Sequence, residues 1–377
     1  MTVMRVLHVY GGTLFGGIET MLVTIARQQS LCPSLSHEFA LSGDGPIGSA
    51  LAAAGGVVHR LPTARASRPF TVWRARRALA RLLRTQGFDR VICHAAWPYA
   101  VFGRAVRQCG RPLVIWVHNV MTGTHWTERW AKRTSPDLAI CNSQYSAGAL
   151  PRVFARAPLV VILPPLEMPS RLSAAERSRI RAELSTSDTA IVIVQAGRLE
   201  APKGHATLLD ALGALRDVPG WIVWQVGGVQ RPFEQAYLES LQVQAVRLGI
   251  ADRVRFAGQR SDVARLFAAA DMQCQPNTGP ESFGLVFVEA LAAGLPVVGT
   301  RLGGVMEIVD DTCGVLVALG DSVALAAALR ELVTNPARRR ALAAAAPARA
   351  RRLCDPSVQL HALHRALIPI ASTQDTA

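Results

Sequence analysis

Lysine is nearly absent from this chain of 377 residues: Lys132 and Lys203 stand against 39 arginines. Acidic residues are absent from one long stretch, since 45–88 holds eight arginines and no Asp or Glu. That gap removes the carboxylate a dinucleotide site needs about 20 residues beyond its glycines. The literal G-x-G-x-x-G at 43–48, which follows the second strand and carries Pro46, therefore does not predict NAD binding. No Walker A loop surrounds Lys203, and no D-x-D occurs, Asp310 and Asp311 being adjacent. The seven cysteines (Cys32, Cys93, Cys109, Cys141, Cys274, Cys313 and Cys354) include no pair at C-x-x-C or zinc-ligand spacing. They read as reduced, mostly buried thiols of a cytoplasmic protein. Ala-rich amphipathic stretches apart, no charge-free apolar run approaches the ~18 residues of a spanning helix. The first residues enter a strand at once, without a signal-peptide pattern. Repeats of solenoid length are missing too.

What is present is apolar residue, 50% of the chain, ample for large α/β cores. A chain this long exceeds what one core usually organises, which predicts two domains. The net charge of +14 is lopsided: residues 1–168 carry 19 Lys and Arg against 7 Asp and Glu, whereas 169–377 carry 22 against 20. Coding bias explains the choice of Arg over Lys but not the missing acids, so the first half is expected to meet an anionic partner.

Near-continuous apolar runs at 5–10, 38–42, 57–61, 90–94, 113–118, 138–142 and 159–163 alternate with helical patterns. Parallel strands covered on both faces read this way. A proline-rich break at 164–170 precedes a second series at 190–195, 221–226, 254–257, 272–275, 296–299 and 315–317. The alternation predicts two doubly wound α/β domains, 1–168 and 169–355, with a surface helix over 337–352.

The stretch 276–300, PNTGPESFGLVFVEALAAGLPVVGT, is the most informative. Pro276, Gly279 and Pro280 break what precedes, 283–293 has apolar residues at helical spacing, and Gly294 and Pro296 stop it. The backbone N–H groups of Phe283, Gly284 and Leu285 are thereby expected at a helix N-terminus, where an anion is favoured. Gly284 lets a ligand approach closely. Glu281 and Glu289 lie eight residues apart, roughly 12 Å on a fully helical path and beyond the ~5–9 Å of a glycosidase pair. They read as two contacts to one long, phosphate-bearing ligand. Arg198 and Lys203 follow the run 190–195, at the carboxyl edge where such sheets bind ligands. His94 and His118 end neighbouring strands and are binding or catalytic candidates, whereas His8, His37, His59, His205, His361 and His364 show no constellation.

The frame E-x-F-G-L-x-x-x-E-A-x-A-x-G-x-P-V at 281–297 continues as RLGGVMEIVDD and CGVLV within 301–317. With AGRLEAPKG at 196–204 and GGTLFGGIE at 11–19, it resembles in order the motifs of retaining GT-B glycosyltransferases of family 4. The resemblance implies two Rossmann-like doubly wound domains facing a central cleft, with a last helix within 356–377 crossing back to the first. It also implies transfer of a sugar from a UDP- or GDP-sugar to a glycan or lipid-linked acceptor, with retention, in cell-envelope, polysaccharide or glycolipid synthesis. In the family the leaving phosphate is thought to help deprotonate the acceptor in a same-face attack. By the same resemblance Arg198 and Lys203 grip the diphosphate, and Glu289 accepts from the ribose hydroxyls. Glu281, with the backbone of Phe283 and Gly284, holds the transferred sugar, and His118 contacts it near the reacting carbon. Gly16 and Gly17 would approach the donor phosphate, while His94 is an acceptor-side residue. Thr20 stands where an arginine is common in the family, which weakens inference about the acceptor. Gln259 and Arg260 are expected near the base, left open between uridine and guanosine. With a cationic grip and no D-x-D, neither metal nor other cofactor is expected, the nucleotide-sugar being a co-substrate.

Two basic-aromatic segments, 70–84 with Arg77, Arg81 and Arg84 on one side and 125–133, suit an anionic membrane surface or an acidic glycan. Nothing resembles a nucleic-acid-binding motif. The expectation is a cytoplasmic enzyme, peripheral on the inner membrane face. A phosphorylase or epimerase on the same fold, and a non-catalytic nucleotide-sugar-binding protein, stay open as alternatives.

Overall fold

The computed structural model describes residues 3–12, 16–43 and 45–370. Part of the glycine-rich loop, at 13–15, and Asp44 of the 43–48 motif lie outside them. The chain divides into two compact units, Met1–Glu167 with Cys354–Ala377, and Met168–Leu353.

The first unit is built on β1 (Met4–Tyr10), β2 (Leu35–Ser42), β3 (Val57–Leu61), β4 (Arg90–His94), β5 (Leu113–Val117), β6 (Leu138–Cys141) and β7 (Leu159–Val161). They lie in the order β3-β2-β1-β4-β5-β6-β7, every pair parallel. The second unit holds β8 (Ile191–Ala196), β9 (Trp221–Val226), β10 (Val254–Gly258), β11 (Met272–Gln275), β12 (Val297–Thr300) and β13 (Gly314–Val317). Their order is β10-β9-β8-β11-β12-β13, again all parallel. Both units are Rossmann-like, and chain order reverses between β1 and β4 and between β8 and β11. Loops part at these reversals, leaving a crevice at the carboxyl ends of the strands.

The strands form where the sequence has apolar runs because both sheet faces are covered. On the first sheet Leu7, Val9, Val91 and Ile115 enter one layer, while Val6, Ile92, Val114 and Trp116 enter the other. Helix Gly17–Gln28 supplies Met21, Leu22 and Ile25 to the second layer, and helix Pro356–Leu367 adds Leu360, Leu363 and Leu367. Full burial of such a leucine contributes about 1.5–3 kcal/mol, which holds the returning chain on the first unit. Arg90 fixes its end by donating to the Leu367 (3.1 Å) and Ile370 carbonyls. In the second unit Ile193, Val223, Leu208, Leu212, Leu329 and Leu332 share one core. Helix Pro336–Cys354 runs two residues beyond the expected 337–352 and buries Leu342, Ala346, Ala350 and Cys354 along one side.

Candidate active site

Arg198 and Lys203 leave the carboxyl end of β8, at the reversal beside β11. Gly204 has φ 73°, and a Cβ there would lie 1.9 Å from the Pro276 carbonyl. Glycine alone therefore lets the Lys203 loop press on the loop leaving β11. The two loops are stitched together where the Thr278 and Gly279 N–H groups donate to the Pro202 carbonyl (2.9 and 3.2 Å). The Gln195 amide donates to the Lys203 carbonyl at 2.9 Å. This places the Lys203 ammonium on the Glu281 carboxylate, and the buried Asn277 amide donates to the same carboxylate at 3.3 Å. Arg198 pairs with Glu200 at 2.7 Å, and Arg231 approaches Glu200 at 3.8 Å. The cations are thus held in place by carboxylates, and any polyphosphate entering here competes with Glu281 and Glu200 for them.

Glu281 does not stand in line with Glu289 on one helical path. The helix is Leu285–Ala292, two residues later than expected, because Gly284 adopts φ 101°. A Cβ on Gly284 would lie 2.6 Å from the Phe287 ring. The bend puts the N–H groups of Phe283 and Gly284 ahead of the first turn, and of the three only that of Leu285 belongs to the helix. Phe283 is buried beneath the bend. Glu281 instead runs beside Gly303, its carbonyl accepting from the Gly304 N–H at 2.9 Å. Glu289 sits on the helix with part of its surface open, yet deep enough that desolvation pushes its carboxyl up to about 7. Arg260 is held by Asp262 (2.7 and 2.8 Å) and Glu183 (3.2 Å). Arg231 and Asn277 carry no motif spacing and escaped the sequence reading. A polar Asn just beyond a buried strand end is the one signal that could have found Asn277.

In the first unit Gly16 caps helix Gly17–Gln28 and donates its N–H to Glu19 at 2.9 Å, while Glu19 also takes the Tyr10 hydroxyl. His94 closes β4, and His118 lies one residue past β5 rather than in it. Ala95 follows at φ 70°, a costly conformation for a residue with a Cβ, and turns the chain into helix Ala96–Gln108. His118 borders an open pocket of about 380 Å³ together with Trp97, Asn119, His125, Thr127 and Glu128. Trp97, Trp126 and Trp130 cluster at centroid separations of 5.8–6.4 Å, and Arg129 and Arg133 flank the adjoining hollow.

His8 and His37, read from the sequence as belonging to no constellation, belong to one. His37 Nδ1 meets His8 Nε2 at 2.9 Å, His8 Nδ1 meets His94 Nε2 at 2.8 Å, and His94 Nδ1 meets His118 Nε2 at 3.0 Å. The rings lie on one face of β2, β1, β4 and the end of β5, 24 to 86 residues apart in sequence from ring to ring. Burial lowers His37 to about 4 and His118 to about 3. His8 and His94 are held well below the usual histidine value, by burial first and by neighbouring imidazoles second. All four are neutral at physiological pH.

Helix Pro69–Thr85 buries Val72, Leu79 and Leu83 and exposes Arg77, Arg81 and Arg84. On the exposed side Phe70 stacks on Trp73 at 5.5 Å, and the Arg77 guanidinium lies 5.3 Å from the Trp73 ring centre. Among the described residues no group of three or more His, Cys, Asp or Glu is placed to hold a metal ion, and no helix is long and apolar enough to cross a membrane.

Glu289 makes the stability of the chain depend on pH. Its ordinary value is 4.5 and its folded value about 7, so between them the folded chain binds the extra proton and stability falls as pH rises. Glu289→Gln in the ligand-free chain should raise the melting temperature at about pH 8 and leave it unchanged at about pH 4. Equal shifts at both pH values in calorimetry would show that burial of the charge is not the cause.

Family comparisons follow the two units. The family model Glycosyltransferase Family 4 matches residues 15–167, and Glycosyl transferases group 1 matches 176–349. The chain is 32% identical over 221 residues to a D-inositol 3-phosphate glycosyltransferase of Segniliparus rotundus, covering 57% of this chain and 49% of that protein. It is 39% identical over 163 residues to a phosphatidyl-myo-inositol mannosyltransferase of Mycobacterium leprae, 40% of each chain. The matched part thus spans half or less of these curated relatives. A crystal structure of Anabaena HepE in complex with UDP-glucose has a TM-score of 0.84 at 26% identity, over 97% of this chain and 100% of that one. With both halves matched in order and the fold shared throughout, the chain belongs to the GT-B glycosyltransferases of family 4.

Proposed function

We propose that this chain transfers a sugar from a nucleotide-sugar to a hydroxyl of a glycan or lipid-linked acceptor, with retention and without a metal, in cell-envelope synthesis. The observation that carries the reading is the cluster of Arg198, Lys203 and Glu281 at the carboxyl edge of the second sheet. A leaving nucleoside diphosphate gains negative charge in the transition state, and preorganised cations stabilise that charge more than the ground state. Glu281, released from Lys203 by the arriving phosphate, would accept from hydroxyls of the transferred sugar. Glu289 gives a carboxylate that two ribose hydroxyls could satisfy, offsetting its desolvation. Gly16 and Gly17 stand at a helix N-terminus, a kind of place that favours phosphate. The pocket at His118, with its indoles, suits sugar hydroxyls and ring faces. The UDP-glucose complex of HepE supports a UDP-sugar donor, and the mannosyltransferase relative's name supports a lipid-linked acceptor. The basic helix Pro69–Thr85, with Phe70 66% and Trp73 51% exposed, suits an anionic bilayer.

Arg198→Ala or Lys203→Ala should each lower turnover about 10²-fold or more while the chain stays folded by circular dichroism. Full activity in the double variant would remove the diphosphate grip, and activity lost in EDTA but restored by a divalent cation would remove the metal-free reading. A phosphorylase or epimerase would give different products, whereas a transferase releases nucleoside diphosphate when an acceptor is supplied.

Glu289→Gln should weaken nucleoside diphosphate binding in calorimetry, whereas Glu281→Gln should leave that affinity nearly unchanged and lower turnover. The reverse pattern would exchange the two roles.

Binding to anionic vesicles should weaken steeply with salt and be absent on neutral vesicles, each arginine contributing on the order of 1 kcal/mol. Reversing Arg77, Arg81 and Arg84 to Glu should abolish it and spare nucleotide-sugar affinity. A parent chain that ignores anionic vesicles would favour a soluble acceptor.

A further inference from the structure

We infer that the hollow lined by Trp126, Arg129, Trp130 and Arg133 is an acceptor subsite for a saccharide that carries an anionic group, a carboxylate or a phosphate on a sugar ring. The inference rests on the transfer proposed above and adds the chemical class of the acceptor. The four residues follow one another at i, i+3, i+4 and i+7. They therefore share one face of the short helix Trp126–Ala131 and the turn beyond it. Thr127, Glu128 and Ala131 are buried on the other side, while Trp126, Arg129 and Arg133 are exposed.

The indoles form a platform that is set before anything binds. Trp126 and Trp130 lie nearly parallel, 24° apart with centroids at 6.4 Å, and Trp97 meets both edge-on at 5.8 and 6.0 Å. The Arg76 guanidinium donates to the Val101 carbonyl at 2.6 Å and lies 5.7 Å from the Trp130 ring centre. Trp126 nevertheless stays 46% exposed. A rigid indole offers apolar area with little side-chain freedom left to lose, which suits the C–H face of a sugar.

Arg129 and Arg133 supply the charge. Among the described residues neither side chain pairs with an acid, because the nearby carboxylates are engaged. Glu128 accepts from the Gly123 N–H at 2.7 Å, and Asp137 pairs with Arg107 at 2.8 Å. Two guanidinium groups without a counterion are complementary to a carboxylate or phosphate, which each can grip with two N–H donors. The hollow measures about 480 Å³, the size of a small-ligand site. A concave face on a helix of six residues, roughly 9 Å long, fits one or two sugar rings better than the plane of a bilayer. Trp97 also borders the His118 pocket. A glycan held in the hollow by its anionic sugar would extend along that indole toward His118.

Methyl glucuronide, glucose 6-phosphate and methyl glucoside would be titrated against the full chain without donor, by ligand-detected NMR. The two anionic sugars should bind about 10-fold tighter than the neutral one, the ratio that one charge-assisted hydrogen bond supplies. The tighter of the two names the anionic group. The Arg129→Gln/Arg133→Gln variant, checked for folding by circular dichroism, should lose that preference, whereas Trp126→Ala should weaken all three sugars alike. Equal affinities in the parent, or a preference that survives the double variant, would overturn the subsite. Inorganic phosphate binding as tightly as glucose 6-phosphate would overturn it too, since the indoles would then contribute nothing. Sugars bound without preference, with phosphatidylglycerol vesicles released by the double variant, would give this face to a membrane instead. These titrations need no turnover. If the preference holds and no nucleotide-sugar is consumed, the subsite survives and the proposed function does not; transfer to a neutral acceptor without any preference would mean the reverse.

Discussion

Every strand in both units runs parallel to its neighbours, and this constraint orders the rest. A parallel connection must cross back over the sheet before the next strand can begin. All strand carboxyl ends therefore meet at one edge, and the loops that leave them are gathered there whatever their distance in sequence. Arg198 and Lys203 after β8 meet Asn277 and Glu281 after β11 for this reason, although 78 residues separate Lys203 from Glu281. The same rule brings His94 and His118 together from the ends of β4 and β5.

The second-unit cluster is balanced rather than bare. Lys203 with Glu281, and Arg198 with Glu200, satisfy each other without ligand, so the loops are set before anything binds. An empty site of unopposed cations would repel itself and drift. A carboxylate counterion that a phosphate can displace keeps geometry at small cost. Glu289 is the opposite case, a carboxyl whose desolvation no opposing charge relieves. Its charged form therefore costs stability as pH rises through about 7.

The strands were legible because burial on both faces writes itself as apolar runs, and β4 coincides with the run at 90–94. Arg198, Lys203, Glu281 and Glu289 were picked out through motifs that resemble those of a known family, and the structure brings Lys203 and Glu281 into contact. The start of the helix at Leu285 was not legible, because a glycine in the sequence permits the left-handed turn found at Gly284 without requiring it. The histidine row was hidden for a different reason. Its contacts depend on register, Val6 opposite His37, His8 opposite Ile92 and His94 opposite Trp116, and on strand order. No local pattern in one strand reports which residue of another will lie beside it.

The near-absence of lysine gives the chain an unusual chemical address. Only two side-chain amines exist. Lys132 is exposed just beyond helix Trp126–Ala131, whereas Lys203 is shielded and bound to Glu281. Among its side chains an amine-directed reagent thus meets one open target and one guarded by an ion pair, and the guarded one lies within the cluster proposed to bind diphosphate. Occupancy of that cluster is written into the reactivity of a single nitrogen.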